Sequence, residues 1–557
     1  MKRSTFVSLC VLLAGLSGIT ACAEATKTAA VADTAAADSA PDSVAADSTA
    51  PDSQADASAT DTQAGFDGKP LAMGAAPFVF PPGFLFGTAI AQYQAEGTWL
   101  PGGATITSNW AAWEALGRCN GEFSKKAAGF REQWAQDLDA MQAMGLQAFR
   151  FSLDWARLEP KQGQYNLAEM QHVIDVIKGA RSRKMQVFLT FYHWSTPLDV
   201  SSPIGCDATT KTCPIDMVGT PNSKFAERFE AFVKWVVPQV KADVDHYPIL
   251  NEPFSVLAGG YLAGIHPPGF VLDFNGMKAA YANLAFAHAR AAKVIRTLDD
   301  KDADGDGIAQ TVGLAVASLL FYPLDKANPA DLVAAENLNY VANYAMVDAL
   351  VTGKIDIDWD RKTDNLTTQP PEGEYPELKG TIDWIGVNFY GPARAQALPG
   401  MLPPVEALPV PDSLSYDPQL PHNELNTEID ANALLDVFTR YANRWHLPMY
   451  VTENGSADAK DTQRPRYIVE HLAATASAIA SGIDIRGYFH WSILDNFEWS
   501  YGSVPRFGLF RVDYTKASLP RTKTGSAQLY ADIIGARAID KATHSKHTAG
   551  KYLTDLR

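Results

Sequence analysis

Two glutamates stand in surroundings that suit carboxylate chemistry. Glu252 lies in Asn251-Glu252-Pro253 and Glu453 in Thr452-Glu453-Asn454-Gly455, each just after a short apolar run. Cleaving a glycosidic bond needs such a pair: one carboxyl protonates the leaving oxygen, the other attacks the anomeric carbon or activates water. Each motif alone is weak, since Asn-Glu-Pro arises by chance and Glu-Asn-Gly also suits a turn. More polar groups follow other apolar runs, in Phe149-Arg150-Phe151, Phe191-Tyr192-His193-Trp194, Val387-Asn388-Phe389-Tyr390 and Phe489-His490-Trp491. Arg150, set between two phenylalanines, needs a partner because an unpaired buried ion is costly. His193 could be a core histidine, and Trp491 and Trp499 could be packing aromatics. Polar residues at so many run ends favour a site over packing alone.

Something must bring these ends together. Eight apolar runs begin near Leu85, Leu146, Met185, Tyr247, Val312, Ile382, Met449 and Gly487. Parallel strands buried on both faces read this way. Helical spacing fills the gaps, as in Leu167, Met170, Val173, Ile174, Ile177 and in Leu434, Leu435, Phe438, Tyr441. Asn166 with Glu169 makes a capping box before the first of these. Strand and helix alternating eight times predict a (β/α)8 barrel, whose chemistry sits at the C-terminal strand ends. In a closed ring, strands four and seven are roughly opposite, so Glu252 and Glu453 would face each other. The alternative, an open doubly wound sheet, carries a Gly-rich turn that Phe84–Gln92 lacks.

At these residues the chain resembles glycoside hydrolase family 1, the β-glucosidase-like family, from Phe80 to about Tyr530. The resemblance rests on FPPGFLFGTAIAQYQAEG, FRFSLDWARLEP, TFYHW, NEP followed by GYLAGIHPPG, TIDWIGVNFYGP, TENG, and WSILDNFEW with RFGLF, in that order. It implies a retaining β-glycosidase, most naturally a β-glucosidase acting on terminal non-reducing β-D-glycosyl residues through a covalent glycosyl-enzyme. Glu453 would be the nucleophile and Glu252 the acid/base with a raised pKa. Arg150 and Tyr390 would flank Glu453. Asn251 would hold the sugar 2-hydroxyl. Gln94, His193, Glu498 and Trp499 would bind other hydroxyls, Trp491 would floor the ring, and Trp194 and Asn388 would line the pocket. Glu498-Trp499 argues against a 6-phospho sugar, and the carboxylate at 252 against thioglucosidase-like loss of the acid. No cofactor is implied. The chain departs from the family at Leu250, near Thr427 where an aglycone-side Trp is common, in the Pro-rich stretch Ala393–Glu424 and in the Cys206–Cys213 loop. These touch the aglycone side.

The chain's 557 residues are 46% hydrophobic and 20% charged, ordinary for a globular protein. A net charge of −16 disfavours nucleic acid as a partner; a small β-glycoside or oligosaccharide is expected instead. Lys2 and Arg3 precede an apolar run, Phe6–Leu16, that reads as a signal peptide over residues 1–21. Its end, Ile19-Thr20-Ala21-Cys22, looks like a lipobox, with Cys22 lipidated and, given Ala23, an outer-membrane destination. An ordinary secretory signal is the alternative. Residues 22–76, rich in Ala, Asp, Ser, Thr and Pro, read as a disordered tether. Residues 77–541 form the expected catalytic domain and 542–557 a tail. In an exported chain Cys206 and Cys213, in one short loop, are the expected disulfide, leaving Cys119 free or misassigned. Asp300, Asp302, Asp304 and Asp306 alternate with two glycines, a spacing that suits a structural calcium loop but lacks the terminal Glu; a solvated acidic turn is the alternative.

Rival functions are weaker. A metal-dependent barrel hydrolase would need ligands on strand one, where Phe86-Gly87-Thr88 offers none. A non-catalytic sugar-binding lipoprotein could dispense with either glutamate, and both are present. Transglycosylation, or a preference for galactose or fucose, would use the same residues.

Overall fold

The computed structural model describes residues 71–410 and 421–550. The leader, Cys22 and most of the expected tether therefore lie outside the described residues. Eight parallel strands close a barrel in chain order. They are β1 (Leu85–Ala91), β2 (Ala148–Ser152), β3 (Gln186–Thr190), β4 (His246–Asn251), β5 (Thr311–Ala317), β6 (Trp384–Phe389), β7 (Met449–Asn454) and β8 (Ile485–Trp491). Every expected strand is found within about two residues of its predicted start, because a doubly buried strand leaves an apolar run in the sequence. Helices cover the outside, chiefly α1 (Phe130–Ala143), α2 (Leu167–Ser182), α3 (Phe225–Val240), α4 (Phe274–Leu298), α5 (Pro329–Asn339), α6 (Ala345–Thr352), α7 (Ala431–Trp445), α8 (Arg464–Ala480) and α9 (Gly525–Ala536). Among the described residues no helix is long and apolar enough to cross a membrane.

The helices form where the apolar spacing lies. On α2, Met170, Val173 and Ile177 are buried, and on α7 so are Leu434, Leu435, Phe438 and Tyr441. The capping box before α2 is only half made. Asn166 Oδ1 accepts the Glu169 N–H, but the Glu169 carboxylate turns to Arg131 (2.7 Å) and Arg157 (3.2 Å). A charged partner outbids a backbone amide for a carboxylate. A tenth helix, α10 (Lys541–Thr548), occupies the start of the expected tail. Asp540 caps it, and His544 packs on Phe78. Its polar sequence has no apolar stripe to announce it.

Period-two alternation sorts each strand. On β2, Phe149 and Phe151 face outward against Phe130 of α1, so Ala148, Arg150 and Ser152 face in. The lower barrel is a dry aromatic plug. Phe188, Trp384, Tyr450 and Phe489 meet edge to face, with centroids 4.7–5.8 Å apart. Small residues opposite make room, since a Cβ on Gly313 would sit 2.4 Å from the Trp384 ring and one on Gly87 2.6 Å from Phe489. Alternating large and small residues is how barrel layers fill without voids.

This packing predicts that Gly313→Ala overpacks the plug and costs about 1–3 kcal/mol. The loss should show as a lower denaturant midpoint that Trp384→Phe partly restores in the double variant. An unchanged midpoint would mean the plug is looser than described.

Candidate active site

Both glutamates sit on bulged strands. β4 advances three residues from Pro248 to Asn251 while β5 advances two, from Gly313 to Ala315. β7 advances three from Tyr450 to Glu453 while β6 advances two, from Gly386 to Asn388. The extra residue breaks alternation and lets consecutive side chains turn inward. Thr452 and Glu453 both use this: Thr452 Oγ1 donates to Asn388 Oδ1 (2.7 Å), and Glu453 Oε1 pairs with Arg150 Nη1 (2.5 Å). Just past β4, Glu252 has φ 45°, in the left-handed region, and opens the short helix Pro253–Leu257. A non-glycine residue there costs on the order of 1 kcal/mol. The Glu252 N–H donating to Ala315 O (2.8 Å) helps hold it.

Arg150 is fully buried and spreads its donors over three other strands of the barrel, β3, β4 and β7. Nη1 serves Glu453 and Thr452 O (3.3 Å), Nη2 serves Asn251 Oδ1 (2.6 Å), and Nε serves Thr190 Oγ1 (3.2 Å). The second oxygen of Glu453 accepts from Tyr390 OH (2.7 Å). Glu252 accepts from Asn388 Nδ2 (2.9 Å) on Oε1 and from Ser255 Oγ (2.6 Å) on Oε2. The same Asn388 Nδ2 also donates to Asn251 Oδ1 (3.0 Å). Asn251 Oδ1 accepts from Arg150 on one side and Asn388 on the other, so one relay of hydrogen bonds runs from Glu453 through Arg150, Asn251 and Asn388 to Glu252.

The other predicted residues gather around this pair. Gln94, His193, Trp194, Asn251, Asn388, Tyr390, Trp491, Glu498 and Trp499 line one cavity of about 280 Å³ with Glu252 and Glu453. His193 is fixed between Ser152 Oγ (2.9 Å) and Asn251 Nδ2 (3.0 Å). Gln94 Nε2 reaches Glu498 Oε2 and Asn496 Oδ1, both at 3.2 Å, while its buried Oε1 has no protein partner. The indole of Trp194 donates to Asn251 O (3.0 Å). Sequence reasoning did not single out Ser255, Ser318, Leu319, Asn423, Leu425 and Phe507, which complete the wall. Most lie in the Pro-rich region or in loops after strands, where no periodicity marks a lining residue. Ser255 alone had a local signal, three residues past Glu252.

The site's charge is unbalanced. Three carboxyls face it, while Arg150 is the guanidinium in contact with one of them. Burial and the Arg150 charge push the His193 pKa well down, keeping the ring neutral. Burial, then the charge of Glu453, push Glu252 up to about 7. Burial, then Glu453 and Glu252, push Glu498 up to about 8. Burial raises Glu453 too, but Arg150 opposes it first, followed by the Tyr390 hydrogen bond. A contact ion pair with the Tyr390 hydroxyl as a further donor keeps the charge on Glu453, and its neighbours hold the protons.

Other expectations lie away from the cavity. A disulfide joins Cys206 and Cys213, and Cys119 is a buried free thiol. The acidic loop between α4 and β5 does not gather its four aspartates. Asp300 pairs with Lys241 (2.7 Å), and Asp306 accepts the Ile308 N–H (2.7 Å). Asp302 and Asp304 converge instead with Asp245, just before β4. A lysine within reach drew Asp300 away, and loop spacing alone could not reveal a third carboxylate from another element.

A barrel with two carboxyls lining one cavity at its C-terminal mouth has the parts of an O-glycosyl hydrolase. Comparison with known proteins agrees. The profile of glycosyl hydrolase family 1 matches residues 77–539. A β-galactosidase of Saccharolobus solfataricus is 32% identical over 84% of this chain and 97% of its own length. A β-glucosidase of Agrobacterium sp. is 30% identical over 84% and 97%. The family 1 β-glucosidase of Thermotoga maritima superposes with a TM-score of 0.70 at 25% identity, covering 84% of this chain and all of that one. Structures of that enzyme with isofagomine lactam and deoxynojirimycin match about as well. The chain belongs to glycosyl hydrolase family 1 and is a retaining β-glycosidase.

The raised Glu252 pKa has a consequence for stability. Its folded value, about 7, lies above the ordinary 4.5. The folded state therefore resists ionisation, and stability is lost as pH rises from about 4.5 through 7, on the order of 3 kcal/mol in all. Glu252→Gln should thus raise the melting temperature at pH 8, with the gain fading below pH 4.5. A gain independent of pH would contradict the burial argument.

Proposed function

We propose that the protein is a β-glucosidase that removes terminal non-reducing β-D-glucosyl residues by double displacement, with Glu453 as nucleophile and Glu252 as acid/base. The observation that carries this reading is the two carboxyls lining one cavity, Glu453 paired with the Arg150 guanidinium and Glu252 held by neutral Asn388 and Ser255. Glu453 attacks the anomeric carbon while Glu252 gives its proton to the leaving oxygen. Glu252 then takes a proton from water, which releases the sugar with its configuration kept. Asn251, held by Arg150 and His193, is placed for the sugar 2-hydroxyl; Gln94 and Glu498 serve hydroxyls at the far side, and Trp491 and Trp499 present ring faces. The free acceptor Oε1 of Gln94 supports a ligand hydroxyl there. Sugar-mimicking ligands bound by the Thermotoga enzyme support the same subsite. The β-galactosidase relative supports a galactosidase reading on the same scaffold, and transglycosylation shares every step but the acceptor.

A panel of aryl β-glucosides, galactosides, fucosides and xylosides on the purified protein decides the glycone, with the highest kcat/KM expected for glucose. Glu453→Gln should cost several orders of magnitude in kcat; undiminished turnover would remove Glu453 from the mechanism. kcat/KM should fall as pH rises past about 7, where Glu252 loses its proton. A profile flat to pH 9 would speak against Glu252 as the acid.

We also propose that the chain is exported and lipid-anchored through Cys22, on the leader and lipobox pattern of residues 1–22. Cells fed a labelled fatty acid should tag the wild type but not Cys22→Ser. Label retained in the variant would refute the anchor.

A further inference from the structure

Glu252 has two neutral hydrogen-bond partners, and they differ in kind. Asn388 Nδ2 can only donate, so the oxygen it faces, Oε1, is held as an acceptor. Ser255 Oγ can donate or accept, so the oxygen it faces, Oε2, can be bare or can carry the proton without losing its partner. Ser255 lines the same cavity as the carboxyls. Its placement does not depend on the bond it makes to Glu252. Its N–H closes the first turn on Glu252 O (3.0 Å), within the short helix Pro253–Leu257. Removing the hydroxyl should therefore leave the turn standing.

Resting on Glu252 as acid/base, we propose that Ser255 is a positioning residue that fixes the carboxyl plane and makes Oε2 the oxygen that gives and regains the proton. In the first step the proton on Oε2 passes to the glycosidic oxygen, which keeps the electron pair of the breaking C–O bond. Ser255 then donates to the bare Oε2. In the second step Oε2 takes a proton from the attacking water, and the serine hydroxyl turns to accept again. Ser255 is also the foremost hydrogen-bonding influence holding the Glu252 pKa down against burial. Without it the acid should keep its proton to higher pH and hold it in a less directed geometry.

The test uses the full-length protein, the preferred glycone, and two leaving groups: phenol, which needs the proton, and dinitrophenol, which hardly does. Ser255→Ala should lose about tenfold more kcat/KM on the phenyl than on the dinitrophenyl substrate, the worth of one hydrogen bond to an ionised group. Its basic limb should move to higher pH, and Ser255→Thr should restore both features. Equal losses on both substrates, or an unmoved basic limb, would overturn the proposal. If the alanine variant does not fold, Ser255→Cys, which keeps the volume and weakens the donor, carries the same two readouts. Glu252→Gln separates the levels. If it keeps phenyl glycoside activity, the acid/base assignment itself fails. If it loses that activity while Ser255→Ala behaves like wild type, the role of Ser255 alone fails.

Discussion

The guanidinium of Arg150 is the cation on which the site's charge pattern depends. It is fully buried, and a buried ion is tolerable only when its donors are matched. Here they reach a carboxylate, an amide oxygen, a carbonyl and a hydroxyl on β3, β4 and β7. One positive charge stabilises one negative charge well. Glu453, in contact with it, keeps the anion, while Glu252 and Glu498 are pushed toward the protonated state. The three carboxyls thus acquire different states from position alone.

That arrangement needs a dry floor and an irregular rim. The aromatic plug beneath fills the lower barrel with buried side chains, so electrostatic interactions above it are screened less than in bulk solvent. Regular strands would point every second residue inward and could not bring Thr452 and Glu453 to bear together. The bulges on β4 and β7 do this, and they lie on the two strands that carry the glutamates. The left-handed backbone at Glu252 adds local strain at the same rim. The site is built from what a stability-optimised barrel would avoid: bulges, a strained residue and carboxyls forced to hold protons.

The same contrast explains what could be read from the chain. Burial on both faces writes each barrel strand as an apolar run, so the eight strands were legible; the residues after the runs named part of the cavity wall, and the family resemblance added Gln94, Glu498 and Trp499. Arg150 was legible because a charge between two phenylalanines must face away from both. Bulges leave no such mark; Met449-Tyr450-Val451-Thr452 reads as an ordinary strand. Side-chain choices among competing partners were hidden as well. Glu169 left its capping box for two arginines, Asp300 left its loop for Lys241, and Asp245 entered from before β4. Spacing records which residues are near along the chain, whereas these outcomes depend on what other elements bring within reach.

The partners of the two glutamates also show how one could serve as both acid and base. Glu453 is held by a charged guanidinium and a phenol, Glu252 by an amide and a serine hydroxyl. Bonds from charged donors are roughly twice as strong as neutral ones, so the proton belongs on Glu252 in the free enzyme. After burial, the largest influence raising Glu252 is the charge of Glu453 itself. In the proposed mechanism that charge disappears when Glu453 becomes an ester, and Arg150 is left without its anion. Both changes lower the affinity of Glu252 for its proton at the moment it must become a base. The switch then needs no movement of the protein, because making the covalent bond to one carboxyl resets the other.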